Sequence, residues 1–263
     1  MASAAPRTAV KPPSALLALT ELPRALFEWS ALPWAAPMLA SAPRGDGHPV
    51  IVLPGFVTGD SSTGTLRGFL KRQGYAPHTW DLGRNLGPKA IGRQGEKLIA
   101  RVLAVFEQSG QKVSLVGWSL GGVMARLVAK RIPHAIRQVI TLGSPFSGSP
   151  KATNVWRAYE VLTGQKVDAE DTRAQLDEIS APPPVPSTAI YSRSDGIVAW
   201  QNCCEEVGPT SDNIEVHGSH CGLGVNASVL YAVADRLAQP EDDWHPFERT
   251  GIKAWVFPSA GHA

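Results

Sequence analysis

The sequence predicts an α/β fold, with a mostly parallel central sheet and helices on both of its faces. Short apolar and β-branched runs alternate along the chain with segments whose apolar residues recur at helical spacing. The chain has 263 residues, of which 43% are hydrophobic and 18% charged. This is enough apolar material for one large core.

Six strands are predicted where apolar runs end in Gly, Pro or small polar residues, over residues 49–53, 75–81, 112–116, 139–142, 188–191 and 213–216. The helices predicted between and after them end at Leu70 or cover residues 91–107, 120–130 and 225–237. Active residues of parallel sheets collect at the carboxyl ends of the strands. We therefore expect the chemistry in the loops that follow these strands.

Three segments fall outside this alternation. Residues 1–47 form a Pro-rich N-terminal extension, and residues 241–263 a C-terminal tail, on either side of a main domain over 48–240. Within that domain, residues 146–185 combine two helical stretches with three consecutive prolines and predict a small helical lid. Residues 15–29 have the pattern of an amphipathic helix, which would either contact a membrane or lipid surface or pack on the domain.

Composition excludes several classes of partner. The net charge is +2 and the chain has no run of basic residues, so nucleic acid is not expected as a partner. No stretch is long enough to span a bilayer, and we expect a cytoplasmic protein that is free or associated with a membrane surface.

The three cysteines, Cys203, Cys204 and Cys221, lie in the last quarter of the chain. A disulfide from Cys203 or Cys204 to Cys221 would fit an exported protein better, and this alternative stays open. A zinc site would combine the cysteines with His217 and His220. Because adjacent cysteines seldom bind one ion and no Cys-x-x-Cys pair is present, we expect no metal and no cofactor.

The strongest motif is Gly117-Trp118-Ser119-Leu120-Gly121, which follows the third predicted strand and opens a helix. A G-x-S-x-G turn serves as a nucleophile elbow in this context. The serine has strained dihedrals, and a side chain at either flanking glycine would collide with neighbouring backbone. We interpret Ser119 as an acyl-accepting nucleophile. The alternative is a Gly-rich turn without chemical function.

With this motif, residues 48 to about 237 resemble the bacterial lipase and esterase branch of the α/β-hydrolase superfamily. The resemblance implies the α/β-hydrolase fold and an oxyanion hole formed by the amides of Phe56 and Leu120. The family's opening loop is commonly His-Gly-Phe or His-Gly-Met, whereas this chain has Pro54-Gly55-Phe56. Only the backbone role of that loop is therefore carried over.

A serine nucleophile needs a base that is oriented by an acid, and in this fold the chain order is serine, acid, histidine. Asp195 follows a predicted strand and resembles the acid position of the family; otherwise it makes a turn before Gly196. The candidate bases are His217 and His220. His220 precedes the last helix and matches the family's Ser-His-x-Gly pattern, so we assign it as the base and His217 as a strand-end or supporting residue.

The predicted function is hydrolysis of carboxylic esters, by a carboxylesterase or lipase acting on a small-molecule or lipid ester. The apolar lid favours aliphatic acyl chains. An acyltransferase would use the same three residues with an alcohol or amine in place of water. A binding protein that keeps only the fold is the alternative from another class. Dehalogenases and epoxide hydrolases of this fold use Asp at the elbow, where this chain has Ser119.

Overall fold

A computed structural model of the protein describes residues 10–258, apart from the side chains at positions 171 and 173. Its centre is a six-stranded, all-parallel sheet with the strand order β2-β1-β3-β4-β5-β6. The strands are β1 (Pro49–Leu53), β2 (Ala76–His78), β3 (Val113–Trp118), β4 (Ile136–Leu142), β5 (Ser187–Tyr191) and β6 (Ser211–Glu215). This is the predicted parallel sheet.

Helices cover both faces of the sheet. The helices of the described residues are α1 (Ala15–Leu19), α2 (Glu21–Ser30), α3 (Ala36–Ala40), α4 (Gly64–Gln73), α5 (Pro88–Ile91), α6 (Glu96–Ser109), α7 (Leu120–Arg131), α8 (Trp156–Thr163), α9 (Glu170–Ser180), α10 (Ala227–Leu237) and α11 (Lys253–Val256). The buried side chains of α4 and α10 form one core with alternate strand residues. Those of α6 and α7 form the other core, because successive strand side chains point to opposite faces.

Two predicted elements differ in detail from the structure. β2 is shorter than predicted, because the amides of Trp80 and Asp81 donate to the side chain of Asp60 and leave the strand pattern. The helix predicted over 91–107 begins only at Glu96, as α6, and Ile91 is the last residue of the separate short helix α5. Gly92 and Gly95 lie between them with φ of 90° and 82°, a conformation that interrupts a right-handed helix.

The segments outside the alternation pack on the domain as far as the structure describes them; residues 1–9 of the predicted extension and 259–263 of the predicted tail lie outside the described residues. In the tail, Phe247 and Phe257 are buried in the α4–α10 core. Residues 15–29 form two helices in place of one. No helix within residues 10–258 has both the length and the apolar character that crossing a bilayer requires.

The lid region contains α8 and α9, and Arg126 of α7 holds its end. The guanidinium donates to the carbonyl oxygens of Ile179 (2.9 Å), Ser180 (3.0 Å) and Ala181 (2.9 Å) and forms an ion pair with Glu205. Both side chains of this pair are fully buried. The C-terminal end of α9 is thus fixed to the domain.

Candidate active site

Ser119 lies in a sharp turn between β3 and α7. Its φ of 54° and ψ of −122° lie outside the regions that residues with a Cβ normally adopt, and such a conformation costs about 1–3 kcal/mol. The turn places the serine at the carboxyl end of a central strand, where its side chain borders a cavity. A strained serine at this position is typical of a nucleophile elbow.

The glycines that flank Ser119 are required by close approach of backbone atoms. A Cβ on Gly117 would lie 2.4 Å from the Cα and N atoms of Gly122. A Cβ on Gly121 would lie 2.6 Å from the carbonyl oxygen of Leu53, at the end of β1. These positions admit no side chain unless the backbone moves.

His220 and Asp195 complete a chain of hydrogen bonds that begins at Ser119. The Nε2 atom of His220 lies 3.0 Å from the Oγ atom of Ser119, and its Nδ1 atom lies 2.6 Å from Oδ2 of Asp195. Asp195 follows β5 and His220 follows β6. The structure therefore brings together the three residues predicted as nucleophile, base and acid.

His220 and Asp195 are both buried and held in place. Oδ1 of Asp195 accepts hydrogen bonds from the amides of Ile197 (2.8 Å) and Val198 (2.7 Å), which leaves Oδ2 for the imidazole. The indole of Trp118 donates to the carbonyl oxygen of His220 at 3.0 Å. The ring of His220 is therefore fixed both by the acid and by its own backbone.

The electrostatic surroundings of His220 favour its charged form. Burial lowers the pKa of an imidazole, but the charge of Asp195 and its hydrogen bond, together with the charge of Glu21, raise the pKa of His220 above the ordinary value of 6.5. A base of this kind stabilises the proton it accepts. At pH values well above its pKa it is neutral and able to accept one.

The alternative base, His217, lies elsewhere. Its side chain is exposed, and its carbonyl oxygen accepts a hydrogen bond from Asn226 at 2.9 Å. No hydrogen bond of the described residues joins its ring to Ser119 or Asp195.

The two predicted oxyanion donors adjoin Ser119. Leu120 is the first residue of α7, and the loop Pro54-Gly55-Phe56 follows β1. A Cβ on Gly55 would lie 3.5 Å from Cβ of Ser119, so this loop passes directly beside the serine. Within residues 10–258 neither the Phe56 amide nor the Leu120 amide donates to a backbone or side-chain acceptor. Within the described residues both amides are therefore without a protein acceptor, as an oxyanion hole requires.

Asn85 supports the oxyanion loop and was not predicted. Its buried side chain donates to the carbonyl oxygen of Pro54 (2.8 Å) and accepts from the amide of Gly87 (3.1 Å). Its backbone exchanges hydrogen bonds of 2.8 Å with Val57 and Thr58. The only sequence signal for this role is an Asn two residues before a Gly, in the loop after a strand.

A largely apolar cavity of about 150 Å³ opens beside Ser119. It lies between α7 and the two lid helices, and the ring of Phe56 packs on Tyr159 of α8 with centroids 5.4 Å apart. Apolar and aromatic side chains from these helices line it, including Met124, Leu127, Trp156, Tyr159, Leu176 and Ile179. Such a lining fits an aliphatic or aromatic group better than a charged one.

A second hydrogen-bonded chain of the same three residue types lies at the amino-terminal ends of β1 and β3. His48 Nδ1 lies 2.5 Å from Oδ1 of Asp46, and its Nε2 atom lies 2.9 Å from the Oγ atom of Ser114. Ser114 is fully buried inside β3, and His48 is 1% exposed. Because no substrate can reach this hydroxyl, the chain has the environment of a core hydrogen-bond network.

The cysteines do not form the alternatives that the sequence left open. Cys203, Cys204 and Cys221 are all free thiols, so the structure holds no disulfide between them. Within the described part of the chain, no group of three or more His, Cys, Asp and Glu side chains could hold a metal ion. His220, which the alternative zinc site would have used, is hydrogen-bonded to Ser119 and Asp195 instead.

A family model described as a PGAP1-like alpha/beta domain matches residues 93–181, which include β3, the elbow and most of the lid. A triacylglycerol lipase of Pseudarthrobacter phenanthrenivorans is 42% identical over 57 residues, which are 21% of this chain and 18% of that protein.

Two solved structures are similar in fold. Aspergillus fumigatus lipase B has a TM-score of 0.56 and 19% identity, covering 76% of this chain and 55% of that one. A monoacylglycerol lipase of Paleococcus ferrophilus has a TM-score of 0.54 and 14% identity, covering 75% and 96%. The alignments thus cover only 18% of the Pseudarthrobacter lipase and 55% of lipase B. At these identities the structural likenesses establish the predicted α/β-hydrolase fold.

Proposed function

We propose that this α/β-hydrolase-fold protein is a serine hydrolase that cleaves carboxylic esters through an acyl-enzyme. The observation that carries the proposal is the hydrogen-bonded chain from Ser119 through His220 to Asp195, at the edge of an apolar cavity. A serine hydroxyl becomes an effective nucleophile only when a base can take its proton. The 3.0 Å contact with Nε2 of His220 provides that base.

In the first half of the reaction, Ser119 Oγ attacks the ester carbonyl carbon while its proton passes to Nε2 of His220. The negative charge develops on the carbonyl oxygen, where the amides of Phe56 and Leu120 bind it; each donor of this kind contributes about 3 kcal/mol to the transition state. Asp195 keeps the imidazole oriented and stabilises its charged form.

In the second half, the tetrahedral intermediate collapses, the alkoxide leaving group takes the proton from His220, and the acyl group stays on Ser119. Water then attacks the acyl carbon and gives its proton to the same imidazole. Release of the acid returns the hydroxyl to Ser119. The cycle needs no metal and no cofactor.

For the acyl group we propose an aliphatic chain, and for the substrate a small or lipid ester. The apolar lining of the cavity supports this choice, as does the likeness to proteins named triacylglycerol and monoacylglycerol lipases. An acyltransferase remains the second candidate, because an alcohol can replace water at the acyl-enzyme. The partition of product between acid and new ester, measured with increasing alcohol, separates the two.

The proposal is tested with a fluorophosphonate probe and a series of p-nitrophenyl esters. Wild-type protein should label at Ser119 and hydrolyse the esters, whereas Ser119→Ala should do neither. Ser114→Ala is the matched control, because that serine has the same kinds of partner but is fully buried; it should label and turn over like wild type. If folded wild-type protein neither labels nor hydrolyses any ester, the hydrolase proposal is rejected in favour of a binding protein that keeps only the fold.

We also propose that the outer face of α1 and α2 contacts a lipid surface. Its apolar side chains are exposed, with Leu19 at 80% and Phe27 at 72%, and exposed apolar surface of this extent marks a binding face. The charged side chains of α2 are buried or half-buried, so the exposed face presents Leu and Phe, which can insert among lipid acyl chains. The variant Leu22→Ser with Phe27→Ser should sediment less with phosphatidylcholine vesicles. Val207→Ser, which alters an apolar side chain that is 71% exposed elsewhere, should not. If the double variant sediments with the vesicles as much as Val207→Ser does, this face does not contact the lipid.

A further inference from the structure

The helix α2 has its charged face turned towards the protein. Glu21, Arg24 and Glu28 are spaced by three and four residues and so share one face of the helix. Glu21 is buried at 2% exposure, while the apolar Leu22 and Phe27 are exposed. This is the reverse of an ordinary surface helix, and the contacts of the charged face explain it.

Glu21 joins the loop of the acid to the loop of the base. Its Oε1 atom accepts a hydrogen bond of 2.7 Å from the amide of Gly196, next to Asp195, and its Oε2 atom accepts one of 2.8 Å from the amide of Cys221, next to His220. Arg24 donates to Oε1 of Glu21 at 2.7 Å. One carboxylate therefore bridges the neighbours of two residues of the Ser–His–Asp chain.

Arg24 and Glu28 extend the same contact. Arg24 donates to the carbonyl oxygen of Ser194 at 2.8 Å, on the other side of Asp195. Glu28 accepts from the amide of Ser219 at 2.7 Å, immediately before His220, and from the side chain of Asn226 at 3.0 Å. The helix thus bonds to the backbone on both sides of the acid and of the base.

Two glycines let the N-terminal helices approach this closely. A Cβ on Gly196 would lie 2.4 Å from the carbonyl carbon and oxygen of Leu17 in α1. A Cβ on Gly222 would lie 2.3 Å from Oε2 of Glu28. The acid and histidine loops are therefore shaped to accept α1 and α2 against their backbone.

We propose that Glu21 and Glu28 are positioning residues, and that α2 clamps the acid and histidine loops at the separation that the Ser119–His220–Asp195 hydrogen bonds require. The inference rests on the proposed ester hydrolysis and assigns a function to a segment that precedes the first strand. Neither glutamate touches the reacting atoms; both act through the backbone of the loops. A loop displacement of about 1 Å can reduce turnover roughly 10²-fold.

Glu21 also supports the proton accepted by His220, in addition to its place in the clamp. The charge of Glu21 helps raise the pKa of His220. The titratable and charged groups around the imidazole are Asp195, Cys203 beside it, Glu21, Arg24 and Glu28 on α2, and His217 and Cys221 on its own loop. Burial raises the pKa of the Cys221 thiol to about 12 and raises the pKa of the Cys203 thiol well above its ordinary value, so both thiols stay uncharged.

The test compares Glu21→Gln and Glu28→Gln with Glu107→Gln, which changes an exposed glutamate on α6. The kcat and kcat/KM values for a p-nitrophenyl ester are measured across pH, with urea unfolding of each variant. We expect each clamp variant to lose roughly 10²-fold in kcat with little change in KM, while Glu107→Gln stays at the wild-type value. The acidic limb of kcat/KM should move to lower pH in Glu21→Gln, because removal of its negative charge lowers the pKa of His220.

These outcomes separate the two proposals. Failure of the wild-type protein to label and turn over would reject the ester hydrolase itself. Wild-type activity with clamp variants that match Glu107→Gln would reject the clamp and leave the hydrolase intact. Lower activity in Glu21→Gln with an unmoved acidic limb, in proportion to lost stability, would show a merely structural contact. Each single variant keeps the other glutamate, so unchanged kcat in both folded variants, Glu21→Gln and Glu28→Gln, overturns the clamp.

Discussion

Asn85→Ala tests whether the oxyanion loop depends on one buried amide. The substitution removes the donor to the carbonyl oxygen of Pro54 and the acceptor for the amide of Gly87, but leaves the backbone hydrogen bonds of residue 85 in place. Each buried group left without a partner costs about 1–3 kcal/mol, so we expect a loss of roughly 2–6 kcal/mol in the free energy of unfolding.

The catalytic effect is expected to be separate from the loss of stability. If the loop relaxes and the Phe56 amide leaves its position beside Ser119, one oxyanion donor is lost, which is worth about 10²–10³-fold in kcat. KM should change little, because this hydrogen bond strengthens only in the transition state. Stopped assays with a p-nitrophenyl ester, at a temperature where urea titration finds the variant folded, measure both constants.

A matched control distinguishes the oxyanion loop from general damage. Gln73→Ala also removes a buried side-chain amide, which donates to the carbonyl oxygen of Leu39 at 3.0 Å, far along the chain from the elbow. It should lower stability and leave kcat unchanged. The reasoning is refuted if Asn85→Ala loses stability and keeps a kcat within about threefold of wild type.

Three further predictions follow from the same geometry. Asp195→Asn presents an amide donor to Nδ1 of His220 and forces the wrong tautomer, so kcat should fall about 10⁴-fold while circular dichroism stays native; a loss below tenfold would contradict the role of the acid. Because the pKa of His220 is raised, kcat/KM should fall as the pH drops through a value above 6.5; a midpoint of the acidic limb at or below 6.5 would contradict the raised pKa. Gly117→Ala should lose fluorophosphonate labelling and about 1–3 kcal/mol of stability, since its Cβ meets the backbone of Gly122 at 2.4 Å. The control Gly68→Ala, whose Cβ meets only the end of a flexible Arg72 side chain at 3.5 Å, should keep both; equal effects would mean that the elbow is not special.

The parts of the site that were predictable are those with a local signature. Ser119 stands in a five-residue pattern, and Asp195 and His220 each follow a strand that its apolar run identifies. The choice of His220 over His217 rested on its position in the loop before the last helix and on its match to the family's Ser-His-x-Gly pattern. In the structure, Nε2 of His220 lies 3.0 Å from Oγ of Ser119.

The supporting residues could not be predicted because their partners are distant in the sequence. Glu21 and Glu28 read as charges that interrupt an apolar segment, and their spacing indicates a shared helix face without saying what the face contacts. Asn85 lies in a loop with no pattern beyond its glycine. Backbone groups are partners in all three cases, and a backbone N–H or carbonyl group is present at almost every residue whatever its type, so the sequence does not mark it.

The clamp can form only late in the synthesis and folding of the chain. The hydrogen bonds that Glu21 and Glu28 accept from the backbone of the acid and histidine loops span 175, 191 and 200 residues. Domains are synthesised from the N-terminus, and contacts between distant residues require closure of the longest loops. Although α2 precedes every strand in the sequence, it can therefore dock on these loops only after nearly the whole sheet has been made. During refolding, the circular dichroism of the sheet should recover before ester turnover.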